Sequence, residues 1–146
     1  ISLGIPISFV VQRNKEGEIK KLVKNDGYPK ISFTFTWQDG RIASMKYEYD
    51  GDAEGTDESF TRYIYKDGKV AAMDCQLQYC EGDCETTDAV ATVEKEILDV
   101  HGNWIKRTLH VKGTKKSDYD YVEHLSNNTH SINVTIIQTR DITYWD

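Results

Sequence analysis

The sequence predicts an all-β domain, an antiparallel meander of about nine or ten strands built from repeated hairpins. Three observations carry this expectation. Apolar and polar residues alternate with a period of two in stretches such as ISFTFTW and MKYEY, the pattern of strands with one buried face. The segment WQDGRI, Trp37 to Ile42, returns as YKDGKV, Tyr65 to Val70. Glycines also punctuate the chain at Gly17, Gly40, Gly68 and Gly102, at steps of 23, 28 and 34 residues, a loose repeat without a strict solenoid period.

The first hairpin turns at Lys15-Glu16-Gly17 and sets Phe9 opposite Val23 and Arg13 opposite Ile19. In the second, Ile31, Phe33, Phe35 and Trp37 alternate with Ser32, Thr34 and Thr36. A plain two-residue Asp39-Gly40 turn would put Phe33 opposite Lys46 and mix core with solvent, because opposed residues share a face. A three-residue loop, Gln38-Asp39-Gly40, pairs Phe33 with Met45 and Ile31 with Tyr47 instead. Gly40 then takes the left-handed place of a type I turn with a G1 bulge. The third hairpin follows the same arithmetic, with Lys66-Asp67-Gly68 as its loop, Tyr63 opposite Ala71 and Thr61 opposite Met73.

The fourth hairpin, ILDVHGNWIKRTLHV, is a variant that opposes Leu98 to Trp104 and Ile97 to Ile105. Before it, TDAVATVEKEIL fits a strand from about Thr92, and also a helical stripe of Val90, Val93 and Ile97 with Asp88 as N-cap; the strand is preferred because it feeds a hairpin. DYDYVEHL, SINVTIIQT and DITYWD read as closing strands. DGDAEGTDES, CEGDCETTD and KGTKKSD read as insertions between hairpins. Such a sheet is expected to be strongly curved or an open barrel, with a β-sandwich as the alternative.

Bulk properties narrow the function. The 146 residues make a single domain, 1–146, long enough for its own core. The chain is 38% hydrophobic and 29% charged with a net charge of −6, and it has no basic block of the kind that neutralises phosphates. Nucleic acid is therefore excluded as a partner. No apolar run is long enough for a transmembrane helix. The opening ISLGIPISFV lacks a basic n-region and a cleavage site, so any targeting segment is expected upstream of Ile1. Of the three cysteines, Cys80 and Cys84 can close a small loop in an oxidising compartment, and the spacing with Cys75 does not match a zinc knuckle.

Candidate sites are few. Trp37, Tyr63, Tyr65 and Trp104 would form a ligand-binding platform for a glycan or apolar ligand if they stood exposed on one concave face, and would otherwise be core. Asp50, Asp52 and Glu54 imitate the opening of a calcium loop, but Thr61 stands where the bidentate Glu belongs, so any calcium binding would be weak. The four histidines lack a zinc spacing, and there is no nucleophile elbow or phosphate-cradling loop. No cofactor and no catalytic residue is expected.

The segments YEYDGD, TRYIYKDGKV and DVHGNWIKRTLHV resemble the YD-repeat, or RHS-like, hairpins of bacterial cell-envelope and secreted proteins. The likeness spans about Ile31 to Val111 and is strongest from Asp99 to Arg107. It implies an extracytoplasmic location, periplasmic or at the cell surface, with a lipid anchor carried by a segment upstream. It also implies a non-catalytic structural or interaction role toward an envelope protein, and it transfers no catalytic residue.

Overall fold

A computed structural model describes residues 7–117 and 129–145. Nine strands form one antiparallel sheet in sequence order: β1 (Phe9–Arg13), β2 (Ile19–Lys24), β3 (Lys30–Gln38), β4 (Arg41–Asp50), β5 (Thr56–Lys66), β6 (Lys69–Glu81), β7 (Asp83–Leu98), β8 (Trp104–Ser117) and β9 (Thr129–Thr139). The all-β meander is thus as expected. The segment read as strand or helix before the fourth hairpin is strand throughout, and β7 begins nine residues earlier than Thr92.

The sheet is neither closed nor strongly curled. β1 and β9 are its two edges and do not pair, and no second sheet is present among the described residues, so the sandwich alternative is also corrected. Among the described residues each strand adds beside the one before it, and none lies on a second layer. DITYWD, expected as a closing strand, is irregular from Asp141 to Trp145. KGTKKSD is not an insertion, because Lys112 to Ser117 continue β8. CEGDC is itself a hairpin tip turning at Gly82, with Cys80 opposite Cys84 and bridged to it. DYDYVEHL lies outside the described residues.

The hairpin registers differ from expectation in an instructive way. Asp39 and Gly40, and likewise Asp67 and Gly68, all have positive φ, at 53°, 70°, 51° and 80°. Both are two-residue turns of the I′ kind, whose twist matches the flanking strands. The register is then shifted by one unpaired residue. Thr36 opposes Ser44 while Trp37 opposes Ile42, leaving Ala43 bulged; Ile64 opposes Ala72 while Tyr65 opposes Val70, leaving Ala71 bulged. Phe33 therefore faces Tyr47, not Met45, and Tyr63 faces Met73, not Ala71. The shift is two residues, so every side chain stays on its expected face.

The Gly17 hairpin keeps the expected three-residue loop, and the Gly102 hairpin, expected to have a longer one, has a three-residue loop too. Gly17 N–H donates to Asn14 O and Asn14 N–H to Glu18 O; Gly102 N–H donates to Asp99 O and Asp99 N–H to Asn103 O. Asn14 and Asp99 reinforce these loops, each accepting two backbone N–H groups on a side-chain oxygen. Arg13 opposes Ile19 and Leu98 opposes Trp104, as expected. Lys20 and Ile105 are then skipped, so Phe9 meets Lys24 and Ile97 meets Lys106. In all four hairpins the bulged residue is the third after the glycine. The repeated unit is a turn plus a bulge.

Opposed residues share a face, so the registers define the two sides of the sheet. One row runs Val11, Leu22, Phe33, Tyr47, Ser59, Leu77, Thr87; the next runs Phe35, Met45, Thr61, Cys75, Ala89, Gly113, Ile132; a third runs Tyr63, Met73, Ala91, Val111, Val134. This is the apolar face. The other face carries Lys46 bridging Glu48 and Glu58, and Arg62 paired with Asp74. Its exposed apolar residues, such as Phe60 and Val90, sit between charged neighbours.

Candidate functional site

The four aromatic residues singled out by sequence come from three strands. Trp37 is the penultimate residue of β3, Tyr63 and Tyr65 lie on β5, and Trp104 opens β8. Trp37 Nε1–H donates to Ile19 O at 2.8 Å, and Tyr65 O–H donates to Ile42 O at 2.7 Å. The acceptors occupy equivalent places, two residues after Gly17 and Gly40. The ladder between β2 and β3 begins at Lys21, and that between β4 and β5 at Ser44, so both carbonyls lie where the bulge has ended strand pairing. The aromatic of one hairpin supplies the donor for the hairpin before it. This answers why WQDGRI and YKDGKV share an aromatic and a β-branched end. The polar tip of the first reaches the backbone of the second in the preceding unit.

The same acceptor place recurs after Gly102, with a different donor. Arg140 Nε–H donates to Trp104 O at 2.6 Å. The guanidinium carbons of Arg107 and Arg140 stand 4.2 and 3.9 Å from the Trp104 ring centroid, so the indole is engaged by two cations. Arg41 lies 5.4 Å over the Tyr65 ring. Sequence reading missed these arginines, although Arg41 stands in the repeated Asp-Gly-base place and its role was visible in the repeat. Tyr63, half-buried, has its phenol pushed up by burial, with the Arg107 charge opposing the shift. Tyr63 and Tyr65 border a small depression of about 220 Å³ beside Arg41 and Ala43.

Asp50, Asp52 and Glu54 lie between β4 and β5, where Asp52–Glu54 form a single 3₁₀ turn. Asp50 Oδ1 accepts the Asp52 N–H, and Tyr49 O–H donates to Glu54 Oε2. Among the described residues no three His, Cys, Asp or Glu side chains gather as a metal site.

A recess of about 650 Å³ opens between the β2–β3 connection and the polar face, bordered by Lys21, Lys24, Lys30, Glu48, Tyr49 and Gln78. Several of its charged groups are engaged. Lys24 Nζ donates to Asp26 O and Pro29 O. Lys46 holds the Glu48 carboxyl below its usual range, and the Glu48 and Glu58 hydrogen bonds raise the Lys46 ammonium. These shifts move both groups away from neutral pH, opposite to what a general acid or base needs. The free thiol, Cys75, is pushed up by burial, the reverse of an activated nucleophile.

Fold and surface together define an open, single-layer β-meander of stitched hairpins with one apolar and one charged face. No known protein family model matches the chain, and no curated protein or solved structure is significantly similar to it.

Proposed function

We propose that this chain is a non-catalytic extracytoplasmic scaffold or interaction module of the YD-repeat, RHS-like kind. In this reading its apolar face lies against an envelope protein or apolar ligand. The observation that carries this is the unfilled second layer. Among the described residues only Ala89, Ala91, Leu109 and Ser44 are buried, while Val11, Leu77 and Val134 stay 48%, 44% and 47% exposed on the apolar face. The accessible area of 10956 Å² compares with about 7,700 Å² for a compact chain of 16.8 kDa. Exposed apolar side chains gathered on one face of the sheet mark an interaction surface. On engaging its partner the sheet curves further, toward the open-barrel form. The Cys80–Cys84 bridge supports an oxidising compartment.

The test uses an environment-sensitive apolar dye and a hydrolase substrate panel. The chain is expected to bind the dye, Leu77→Lys and Val11→Lys are expected to reduce that binding with β-structure retained, and no substrate is expected to turn over. An activity abolished by replacing one acid or histidine would refute the proposal, as would a chain that leaves the dye unbound.

A further inference from the structure

The two sheet edges are treated differently by the sequence. β1 is five residues long, ends in Arg13 and faces the bulge at Lys20, features that blunt an edge against further pairing. β9 is eleven residues long, THSINVTIIQT, without Asp, Glu, Lys, Arg or Pro. Its register against β8 is unbroken. Among the described residues β9 pairs on one side only. A long, regular, uncharged edge is a template for strand addition.

The direction of its free groups follows from one hydrogen bond. Arg140 N–H donates to Ile105 O at 3.0 Å, and the two residues continue the register in which Lys106 opposes Thr139. Arg140 is thus on the hydrogen-bonded phase of the ladder, and that phase alternates along an antiparallel pair. Ile132, Val134, Ile136 and Gln138 turn their backbone groups toward β8. Ser131, Asn133, Thr135 and Ile137 turn theirs outward.

We propose that β9 pairs antiparallel with β9 of a second copy of this chain, about a two-fold axis through Val134. Opposed residues must share a face, so a two-fold normal to the sheet has to pass through a residue pair. Centring on Val134 opposes Val134 to Val134 and Ile132 to Ile136 on the apolar face. On the other face it opposes Asn133 to Thr135 and Ser131 to Ile137. Those four outward residues exchange about eight backbone hydrogen bonds across the axis. The row Tyr63, Met73, Ala91, Val111, Val134 then continues into the second copy without interruption. Charge does not oppose a copy at this edge: the chain carries −6 overall, but the paired strands bring no like charges opposite one another. This surface is separate from the apolar-face docking described above, and its failure would leave that reading untouched.

Sedimentation of the full chain at micromolar concentration tests the pairing. The expected mass is twice 16.8 kDa. Thr135→Pro and Ser131→Pro each remove an outward N–H while leaving the β8 ladder intact, and both are expected to give monomers with an unchanged far-ultraviolet circular dichroism spectrum. Register is read by cysteine crosslinking in a Cys75→Ala background. Val134→Cys places two Cα atoms about 4.5 Å apart and is expected to form an interchain disulfide; Asn133→Cys places them roughly 8 Å apart and is not. A monomeric parent chain would overturn the proposal, whether the edge is unused or covered by another part of the chain. A dimer that survives both proline variants, or one crosslinked by Asn133→Cys and not by Val134→Cys, would also overturn it.

Discussion

Replacing Tyr65 with Phe removes one oxygen and keeps the ring, and so isolates the bond that stitches two hairpins together. The hydroxyl donates to Ile42 O at 2.7 Å across 23 residues of sequence, and this carbonyl lies beyond the first β4–β5 ladder pair. A neutral hydrogen bond of this kind contributes about 0.5–1.5 kcal/mol, with the upper part applying where the abandoned acceptor stays shielded from water. Tyr65 is part-buried, so the loss should be near 1 kcal/mol. At a urea dependence of about 1–2 kcal/mol/M, the midpoint would fall by roughly 0.5–1 M with the slope unchanged. Tyr28→Phe is the control, because Tyr28 is 58% exposed and should shift the midpoint by little. Urea titration followed by circular dichroism at fixed protein concentration makes the comparison. Equal midpoints for Tyr65→Phe and Tyr28→Phe would refute the stitching role.

Three further outcomes follow from the same geometry. Deleting Ala43 removes the bulge while Trp37 still meets Ile42 and Thr36 still meets Ser44, so Met45 and Tyr47 keep their partners and faces; a thermal melt that stays cooperative is expected. Gly113→Ala would place a Cβ 2.1 Å from Asp88 O and 2.7 Å from Ala89 Cβ, and should destabilise by about 1–3 kcal/mol in urea titration. The ionic cluster gives a pH dependence. Glu48 is held low, so its contribution is present above its unfolded pKa and is lost as pH falls through the lower folded value; Lys46 is held high, so its contribution is lost only as pH rises above its ordinary 10.5. Both side chains are about two-fifths exposed, so the effect should stay within about 1 kcal/mol. Lys46→Met should flatten the acid limb of a stability profile measured by urea midpoint.

The period-two pattern made the strands legible, because alternation along a strand directly records which side chains leave water. It also recorded faces correctly at Phe33, Tyr47, Tyr63 and Met73 while leaving their partners wrong. Face depends on parity alone, whereas partner depends on the bulge at Ala43 or Ala71, and alanine bears no mark of being unpaired. The Asp-Gly pairs admitted either loop, and the choice fell to the backbone twist. Openness of the sheet was not written in the pattern either, since alternation is the same in a barrel, a sandwich and a single layer. At the candidate site, the aromatic positions were legible and their use was not. Trp37 and Tyr65 are turned to hairpin carbonyls, and Trp104 to two arginines, one of them 36 residues away in sequence. Only the repeat of base after glycine hinted at such stacking, through Arg41.

An electron-spin distance between β1 and β8 tests the open single layer most directly. Spin labels on Gln12→Cys and Lys112→Cys, in a Cys75→Ala background diluted with unlabelled chain, span seven interstrand gaps of about 4.8 Å. The account predicts a distribution centred near 30–34 Å. A distance below about 20 Å would mean a sheet closed or folded back on itself, and would contradict it.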